Sequence, residues 1–257
     1  MRIRLVVTDL DGTLLRRDKS VSDYTTDVFA RLRERGVKVL FATGRPERTT
    51  ARFANSINPH GIISNNGANV TIAGSSIFER GIDSATVEAI VNGLLGFDGI
   101  KLFVDYGDYS VTNHGDYKLL EALGWSPIYY NDFSDYDSAG VLKIAIEAQD
   151  ASLLANVDFG SLGCWIHGTA GEPWYLVMSK GATKSRAIKA AASHFGIDIE
   201  EVCAFGDDEN DIDMLRECGV GIAMENAIDD AKAAADYICS SNEDDGVAKW
   251  LEEHVLV

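Results

Sequence analysis

Short, continuous apolar runs separated by helical patterns are the feature that most limits how this chain can fold. The runs do not alternate with polar residues, so they predict strands that are covered on both faces. Helical periodicity lies between them, with glycines such as Gly36, Gly196 and Gly219 as stop signals. Alternating strands and helices indicate an α/β fold with a doubly wound parallel sheet. The predicted strands are 3–7, 37–42, 61–64, 202–205, 220–223 and 237–239.

The middle of the chain has a different pattern. Leu142, Ile144 and Ile146 face one way while Lys143 and Glu147 face the other, which is typical of an antiparallel strand with one buried face. We therefore expect an α+β module over 81–179, inserted into a discontinuous first domain made of 1–80 and 180–257. Its predicted strands are 101–105, 109–112, 141–147, 164–167 and 174–178, and its predicted helices are 84–95, 115–123 and 151–157.

The composition excludes several classes of partner. The chain has 257 residues, of which 46% are hydrophobic and 25% charged, as in ordinary globular proteins. A formal net charge of −17 argues against nucleic acid or an anionic membrane as a partner, because both require a basic surface. No apolar stretch approaches the ~18 residues of a membrane span, and the amino terminus runs directly into the first strand without a signal peptide. The four cysteines lack CxxC spacing, so we expect reduced, buried thiols. Together with the missing signal peptide and membrane span, this predicts a cytoplasmic protein. We expect a monomer or a small homo-oligomer.

Two carboxylates, two residues apart, follow the first predicted strand in Asp9-Leu10-Asp11-Gly12-Thr13. Side chains of a strand repeat with period two, so Asp9 and Asp11 project toward the same side if the extended geometry continues. They could then share one cation and one substrate at the carboxyl end of the strand, where open α/β sheets bind ligands. The pentapeptide alone is equally consistent with a strand-ending turn.

Two more polar clusters follow predicted core strands. Thr43-Gly44-Arg45 comes after 37–42, and the Thr43 hydroxyl suits a phosphoryl oxygen. The segment 206–211 contains four acids within five positions, which repel one another unless a cation lies among them. A divalent ion would relieve this repulsion, although an acidic helix N-terminus explains the cluster equally well by itself.

A lysine is the remaining candidate, and the chain offers Lys180 and Lys184. Most lysines are simply solvated. Lys184 opens the helix that leads into the strand before Asp207, so its position is tied to the core, and it is the favoured residue. Asn65 and Asn66, which follow another core strand, are interpreted as turn residues or as contacts to the inserted module.

Taken in order, these motifs resemble those of the haloacid dehalogenase superfamily, and within it the Cof-type sugar phosphatases with a large cap of the C2 (IIB) type. The resemblance covers nearly the whole chain, with further landmarks at 66–68, 223–227 and 245–247. Only about 30 residues separate Thr13 from Thr43, too few for a lid domain, so the cap has to follow Thr43.

The resemblance implies Mg²⁺-dependent hydrolysis of small phosphate monoesters, sugar phosphates in particular, through an aspartyl phosphate. Asp9 would be the nucleophile and Asp11 the general acid and base, with Lys184 and Thr43 completing the catalytic set. Asp11 also argues against a true dehalogenase, whose ester intermediate on carbon needs no leaving-group proton. The implied substrate contacts are Leu10, Thr43, Gly44, Arg45, Lys184 and Asn210. The implied Mg²⁺ ligands are Asp9, Asp11 through its backbone carbonyl, Asp207 and Asp211.

Two other functions remain open at this point. A phosphomutase similar to the phosphomannomutases shares this cap type and would return the phosphoryl group to a sugar. A non-catalytic phospho-acceptor, similar to receiver domains, also combines acids, threonine and lysine around Mg²⁺, but receivers are about half this length. Substrate choice would depend on Arg45 and on the inserted module, whose polar-aromatic candidates are His114, Trp125, Tyr129, Tyr130, Trp165, His167 and Trp174.

Overall fold

The computed structural model describes residues 2–168 and 171–257, apart from the side chains of Ala122 and Leu123. The strands are β1 (Leu5–Thr8), β2 (Lys38–Ala42), β3 (Gly61–Ser64), β4 (Asn69–Ile72), β5 (Ser75–Glu79), β6 (Ile100–Asp105), β7 (Ser110–Thr112), β8 (Ile128–Tyr130), β9 (Lys143–Ala148), β10 (Cys164–Gly168), β11 (Trp174–Ser179), β12 (Val202–Gly206), β13 (Val220–Met224) and β14 (Tyr237–Cys239). The α-helices are α1 (Asp23–Glu34), α2 (Ala51–Ile57), α3 (Ser84–Leu94), α4 (Tyr117–Leu120), α5 (Lys184–Phe195), α6 (Ile212–Glu217), α7 (Asp229–Ala234) and α8 (Gly246–His254).

The chain forms two compact units. The first unit contains residues 1–45, 50–78 and 183–257, and the second contains 46–49 and 79–182. Residues 46–49, which the sequence analysis places in the first domain, therefore group with the second unit.

The first unit is built on one sheet with helices on both faces. Its strand order is β14-β13-β12-β1-β2-β3-β4-β5, and pairing is parallel from β14 to β3. Val6 and Phe41 pack with residues of α1 and α8 on one face. Leu5 and Val7 pack on the other face with residues of α5 such as Ile188. The α/β fold with a doubly wound sheet is therefore confirmed.

The sequence patterns did not predict two strands of this sheet, β4 and β5. Strand β4 pairs antiparallel with β3, and β5 continues the sheet beyond it. In β4 only Val70 and Ile72 are buried, while Asn69 and Thr71 are half-buried. This alternation lacks the continuous apolar run that predicts the central parallel strands, and the strand is only four residues long.

The second unit is a mixed sheet with helical cover on one face. Its order is β10-β11-β9-β6-β7-β8, antiparallel except for the parallel pair β7 and β8. Val87 and Ile90 of α3 pack on Leu102, Ile144 and Ile146 of the sheet. The inserted α+β character predicted for this region agrees with this arrangement.

Two helices of the second unit are shorter than the sequence patterns predict. The segment 115–123 forms only α4, followed by a π-turn over Glu121–Trp125 in which Gly124 has a φ of 90°. The segment 151–157 forms a 3-10 helix over Ala151–Asn156, where the Asn156 side chain donates to the Leu153 carbonyl at 2.7 Å. Such local side-chain bonds compete with a regular α-helix.

All four cysteines are buried, and burial raises the pKa of Cys164 to about 11. Among the described residues, none of the helices has the length and apolar character needed to cross a membrane.

Candidate active site

The strand order brings three of the predicted motifs to one edge of the first sheet. Strand β1 lies between β12 and β2, with Thr8 in register with Phe205 on one side and Phe41 on the other. Asp9, Thr43 and Asp207 therefore follow the carboxyl ends of three adjacent strands, where α/β sheets place their ligands.

Lys184 joins this edge from the first residue of α5. The Thr183 side chain accepts a hydrogen bond from the Arg186 amide and so fixes the start of the helix. The Lys184 side chain is fully buried, and its Nζ donates to Asp9 Oδ1 and to Asp211 Oδ1, both at 2.6 Å. Burial alone would lower the pKa of Lys184, but the two carboxylates outweigh it and raise the pKa above its usual value. Lys184 therefore remains a cation between two acids.

Lys180 has a different environment. Its Nζ donates to the Gly160 carbonyl at 2.8 Å, within the second unit. Of the two candidate lysines, the geometry brings Lys184 to the carboxylates.

Three carboxylates form a compact cluster beside Lys184. Oxygen atoms of Asp9, Asp207 and Asp211 all lie within 4.8 Å of one another. Burial raises the pKa of Asp9 well above its usual range, with Asp211 and Asp207 adding to the effect against the opposing charge of Lys184. Burial followed by the Asp211 charge raises the pKa of Asp207 to about 7. Carboxylates this close together resist being ionised at the same time. A divalent cation such as Mg²⁺, which prefers oxygen ligands, would allow them all to ionise and therefore fits this cluster.

Asp211 also fixes the backbone of its own loop. Its Oδ2 accepts from the amides of Asp207 at 3.0 Å and Asp208 at 3.2 Å. A Cβ on Gly206 would lie 2.4 Å from the Cβ of Asp211, so this close approach requires glycine. The acidic segment is therefore an ordered loop in which the Asp211 side chain fixes the backbone at Asp207 and Asp208.

Gly12 and Thr13 bring the first motif against Asp207. Thr13 Oγ1 donates to Asp207 Oδ1 at 2.6 Å. Gly12 has a φ of +87°, and a Cβ at this position would lie 2.2 Å from Asp207 Oδ2. Both the left-handed backbone and the missing side chain are needed for the two loops to approach so closely.

Asp11 lies outside the carboxylate cluster and faces two cations. Arg45 donates from Nε to Oδ2 at 2.5 Å and from Nη2 to Oδ1 at 2.8 Å, and Lys19 Nζ donates to Oδ1 at 2.7 Å. Burial would raise the pKa of Asp11, but Arg45 and then Lys19 outweigh it and lower the pKa to about 2. Arg45 was predicted to contact the substrate, and in this structure it pairs with Asp11. The bond from Lys19 to Asp11 was not predicted, because a single lysine in a polar loop gives no sign of which carboxylate it will contact.

The remaining candidate substrate contacts lie at the same edge but are deeply placed. The Leu10 side chain is buried in the hydrophobic core, so only its backbone is suited to a substrate contact. Thr43 is buried, and its hydroxyl accepts from the Arg45 amide at 3.1 Å. Gly44 packs closely on Asn66, since a Cβ there would lie 3.0 Å from Asn66 Oδ1. Asn210 Nδ2 donates to the same Asn66 oxygen at 2.7 Å.

Several aromatic candidates in the second unit share the sheet face opposite α3. His114 and Trp174 both contact the ring of Phe103, with centroid distances of 6.1 Å and 5.3 Å. Trp165 instead donates its Nε1 to the Ala182 carbonyl at 3.2 Å and contacts His167. Of the other candidates, Tyr129 and Tyr130 are exposed, and Trp125 is the last residue of the π-turn.

Comparison with known proteins identifies the family. The family model for haloacid dehalogenase-like hydrolases matches residues 6–251. The chain belongs to this family. A 5-amino-6-(5-phospho-D-ribitylamino)uracil phosphatase of Bacillus subtilis is 28% identical, covering 97% of both chains. An HMP-PP phosphatase of Cronobacter sakazakii is 29% identical, covering 88% of this chain and 85% of its own.

Solved structures of this haloacid dehalogenase family give the same result. A haloacid dehalogenase-like hydrolase from Bacteroides thetaiotaomicron has a TM-score of 0.84 at 27% identity, covering 98% of this chain and 99% of its own. A sugar phosphatase of subclass IIB has a TM-score of 0.85 at 25% identity, covering 99% and 100%. The predicted Cof-type family and the class of phosphoric monoester hydrolase are confirmed.

Proposed function

We propose that this phosphatase is Mg²⁺-dependent and hydrolyses small phosphate monoesters, sugar phosphates among them, through an aspartyl phosphate on Asp9. The observation that carries the proposal is the buried Lys184, which bridges Asp9 and Asp211 beside Asp207. A lysine in this position orients the nucleophile and offsets charge on a transferring phosphoryl group.

The proposed reaction has two steps that share Asp11. In the first, an Asp9 oxygen bonds to phosphorus while the ester P–O bond breaks, and the leaving alcohol takes a proton from Asp11. In the second, Asp11 accepts a proton from water, which attacks phosphorus, releases orthophosphate and restores the Asp9 carboxylate. The ionised Asp11 of this structure suits the second step. The first step needs its oxygens released from Arg45 and Lys19, so that one of them can carry a proton.

The residues that would hold Mg²⁺ are Asp9, Asp207, the backbone carbonyl of Asp11 and, directly or through water, Asp211. When bound there, the ion would neutralise the crowded carboxylates and stabilise negative charge on the phosphoryl oxygens. Backbone groups of Leu10 and Gly44, together with Thr43, Arg45, Lys184 and Asn210, are the proposed contacts to the substrate.

The inserted α+β module predicted over residues 81–179, which falls within the second unit, is the proposed cap domain and would select the leaving group. The relatives are named for different substrates: a ribitylaminouracil phosphate, HMP-PP and sugar phosphates. We therefore propose small phosphorylated metabolites as the substrate class, with pyrimidine-bearing phosphates and sugar phosphates as the first to compare.

The test is phosphate release from a panel of sugar phosphates, nucleotides, pyrimidine-bearing phosphates and small acid phosphates. Wild type is compared with Asp9→Asn and with wild type in excess chelator. Release that is lost in both controls supports the proposal. Transfer of phosphate to a sugar only with a bisphosphate activator would show a mutase instead. A long-lived phosphoprotein without turnover would show a phospho-acceptor.

A further inference from the structure

The turn that follows β3 has an unusual backbone for a buried segment. Asn65, Asn66 and Gly67 have φ values of 49°, 55° and 93°, three left-handed residues in succession. Asn65 is fully buried and Asn66 is 1% exposed. Left-handed backbone is unfavourable for L-residues, and asparagine tolerates it better than most. Strained conformations of this kind persist where the surroundings hold them, and they concentrate at functional sites.

The backbone of this turn is bonded to the segment that carries Thr43 and Arg45. The Asn65 amide donates to the Arg45 carbonyl at 3.0 Å, and the Asn66 amide donates to the Thr43 carbonyl at 2.9 Å. Two consecutive amides of the left-handed turn are thus bonded to carbonyls of one neighbouring segment. Here the partner of the turn is the phosphate-binding segment itself.

Gly67 brings the same turn against the start of α5. A Cβ on Gly67 would lie 2.3 Å from the Thr183 carbonyl oxygen and 2.9 Å from the Lys184 amide nitrogen. The turn thus packs backbone to backbone on the residue that carries the bridging lysine. A side chain at position 67 would push this helix start away.

The Asn66 side chain makes the third connection. Its Oδ1 accepts from Asn210 Nδ2 at 2.7 Å. Asn210 lies next to Asp211 in the acidic loop, so this bond joins the turn to the loop that carries Asp207. An amide nitrogen has two hydrogens, and the bond to Asn66 uses one of them, so the Asn210 amide can donate the other to a further acceptor such as a phosphoryl oxygen.

We propose that Asn66 is a positioning residue, which holds the Asn210 amide and the Thr43–Arg45 segment in the arrangement that binds the phosphoryl group. The identity of the ligand rests on the proposed phosphatase function. Asn66 acts through Asn210 and does not itself touch the substrate. A turn that served the fold alone would need the backbone bonds but not the side-chain amide.

The decisive variant is Asn66→Gly, because glycine keeps the left-handed backbone and removes only the carboxamide. Asn58→Gly is the matched control, since Asn58 also has a positive φ of 51° but is exposed at the end of α2. Asn210→Ala and the double variant Asn66→Gly/Asn210→Ala complete a cycle that isolates the coupling between the two side chains. The measurements are kcat and KM, and the rise in the midpoint of thermal unfolding caused by orthophosphate with MgCl₂.

We expect Asn66→Gly to lower kcat/KM about tenfold, which corresponds to about 1.4 kcal/mol, the size of one good neutral hydrogen bond. The same substitution should have little effect once Asn210 is alanine. Without ligands, Asn66→Gly and Asn58→Gly should unfold at similar temperatures, and only Asn66→Gly should lose part of the rise caused by orthophosphate.

Equal kinetics for Asn66→Gly and Asn58→Gly would overturn the proposal, as would an unchanged effect of Asn66→Gly in the Asn210→Ala background. If the wild type releases phosphate from no compound, the phosphatase proposal fails. The rise in the midpoint of thermal unfolding caused by orthophosphate with MgCl₂ then still tests the role of Asn66. A rise that Asn66→Gly loses would then support the positioning role, and a rise that it keeps would overturn it. In that case, the absence of a rise in the wild type would overturn the positioning proposal as well.

Discussion

Removal of Mg²⁺ should destabilise the protein more strongly as the pH rises. Burial and the neighbouring Asp211 raise the pKa of Asp207 from 3.8 to about 7 in the metal-free fold. A group whose pKa is raised on folding stabilises the fold while it is protonated. Its contribution is complete below about pH 4, the unfolded pKa, and is lost as the pH rises through about 7. The pKa of Asp9 is shifted in the same direction.

The size of the effect follows from the shift of Asp207. About three pKa units, at about 1.36 kcal/mol each, correspond to about 4 kcal/mol of unfolding free energy. For a chain of this size, the midpoint of thermal unfolding would then change by on the order of 10 °C. Mg²⁺ replaces the proton at the carboxylates, so the stabilisation that it provides should grow over the same pH window.

Thermal unfolding in excess MgCl₂ and in excess chelator, at about pH 5 and about pH 7.5, measures this directly. The difference between the two midpoints at one pH is the informative quantity, because groups outside the site contribute equally to both midpoints. Asp105 is one such group: its pKa is lowered, so its contribution to stability is lost as the pH falls. Asp207→Asn should reduce the pH dependence of this difference to the part that Asp9 contributes, whereas Asp213→Asn, an exposed neighbour in α6, should keep it in full. An equal difference at both pH values in the wild type would refute the reasoning.

Three substitutions test other parts of the site. Lys184→Met leaves two buried acids without their cation and should lower the free energy of unfolding by about 3–5 kcal/mol. An unfolding midpoint in chelator equal to that of the wild type would contradict this. Asp9→Asn should abolish phosphate release, and residual turnover would reject Asp9 as the nucleophile. Because the substitution removes a buried charge, the variant in chelator near pH 7.5 should unfold at or above the wild-type midpoint. Gly12→Ala should raise the Mg²⁺ concentration for half-maximal activity, since its Cβ would collide with Asp207; an unchanged Mg²⁺ requirement would show that the loop tolerates a side chain.

The sequence predicts the core strands well because their apolar runs report burial on both faces. The bounds of β3 and β14 agree with the predicted 61–64 and 237–239. The placement of Asp9, Thr43 and Asp207 at neighbouring strand ends follows from the same patterns. Contacts made by single polar residues across long sequence distances could not be predicted. The bond between Asn66 and Asn210 joins residues 144 positions apart, and the sequence around Asn66 indicates only a turn.

The two acids of the first motif have opposite environments although one residue separates them. Asp9 lies in the buried cluster, where its pKa is raised and a cation is needed to ionise it fully. Asp11 faces Arg45 and Lys19, which hold its pKa at about 2. Pairs of acids whose pKa values are driven apart mark a division of roles in catalysis. A dianionic phosphoryl group that drew both Arg45 and Lys19 toward itself would remove the causes of the low pKa of Asp11, and burial would then raise that pKa. Substrate binding would thereby supply the protonated acid that the first step requires, and departure of the alcohol would leave the base that the second step requires.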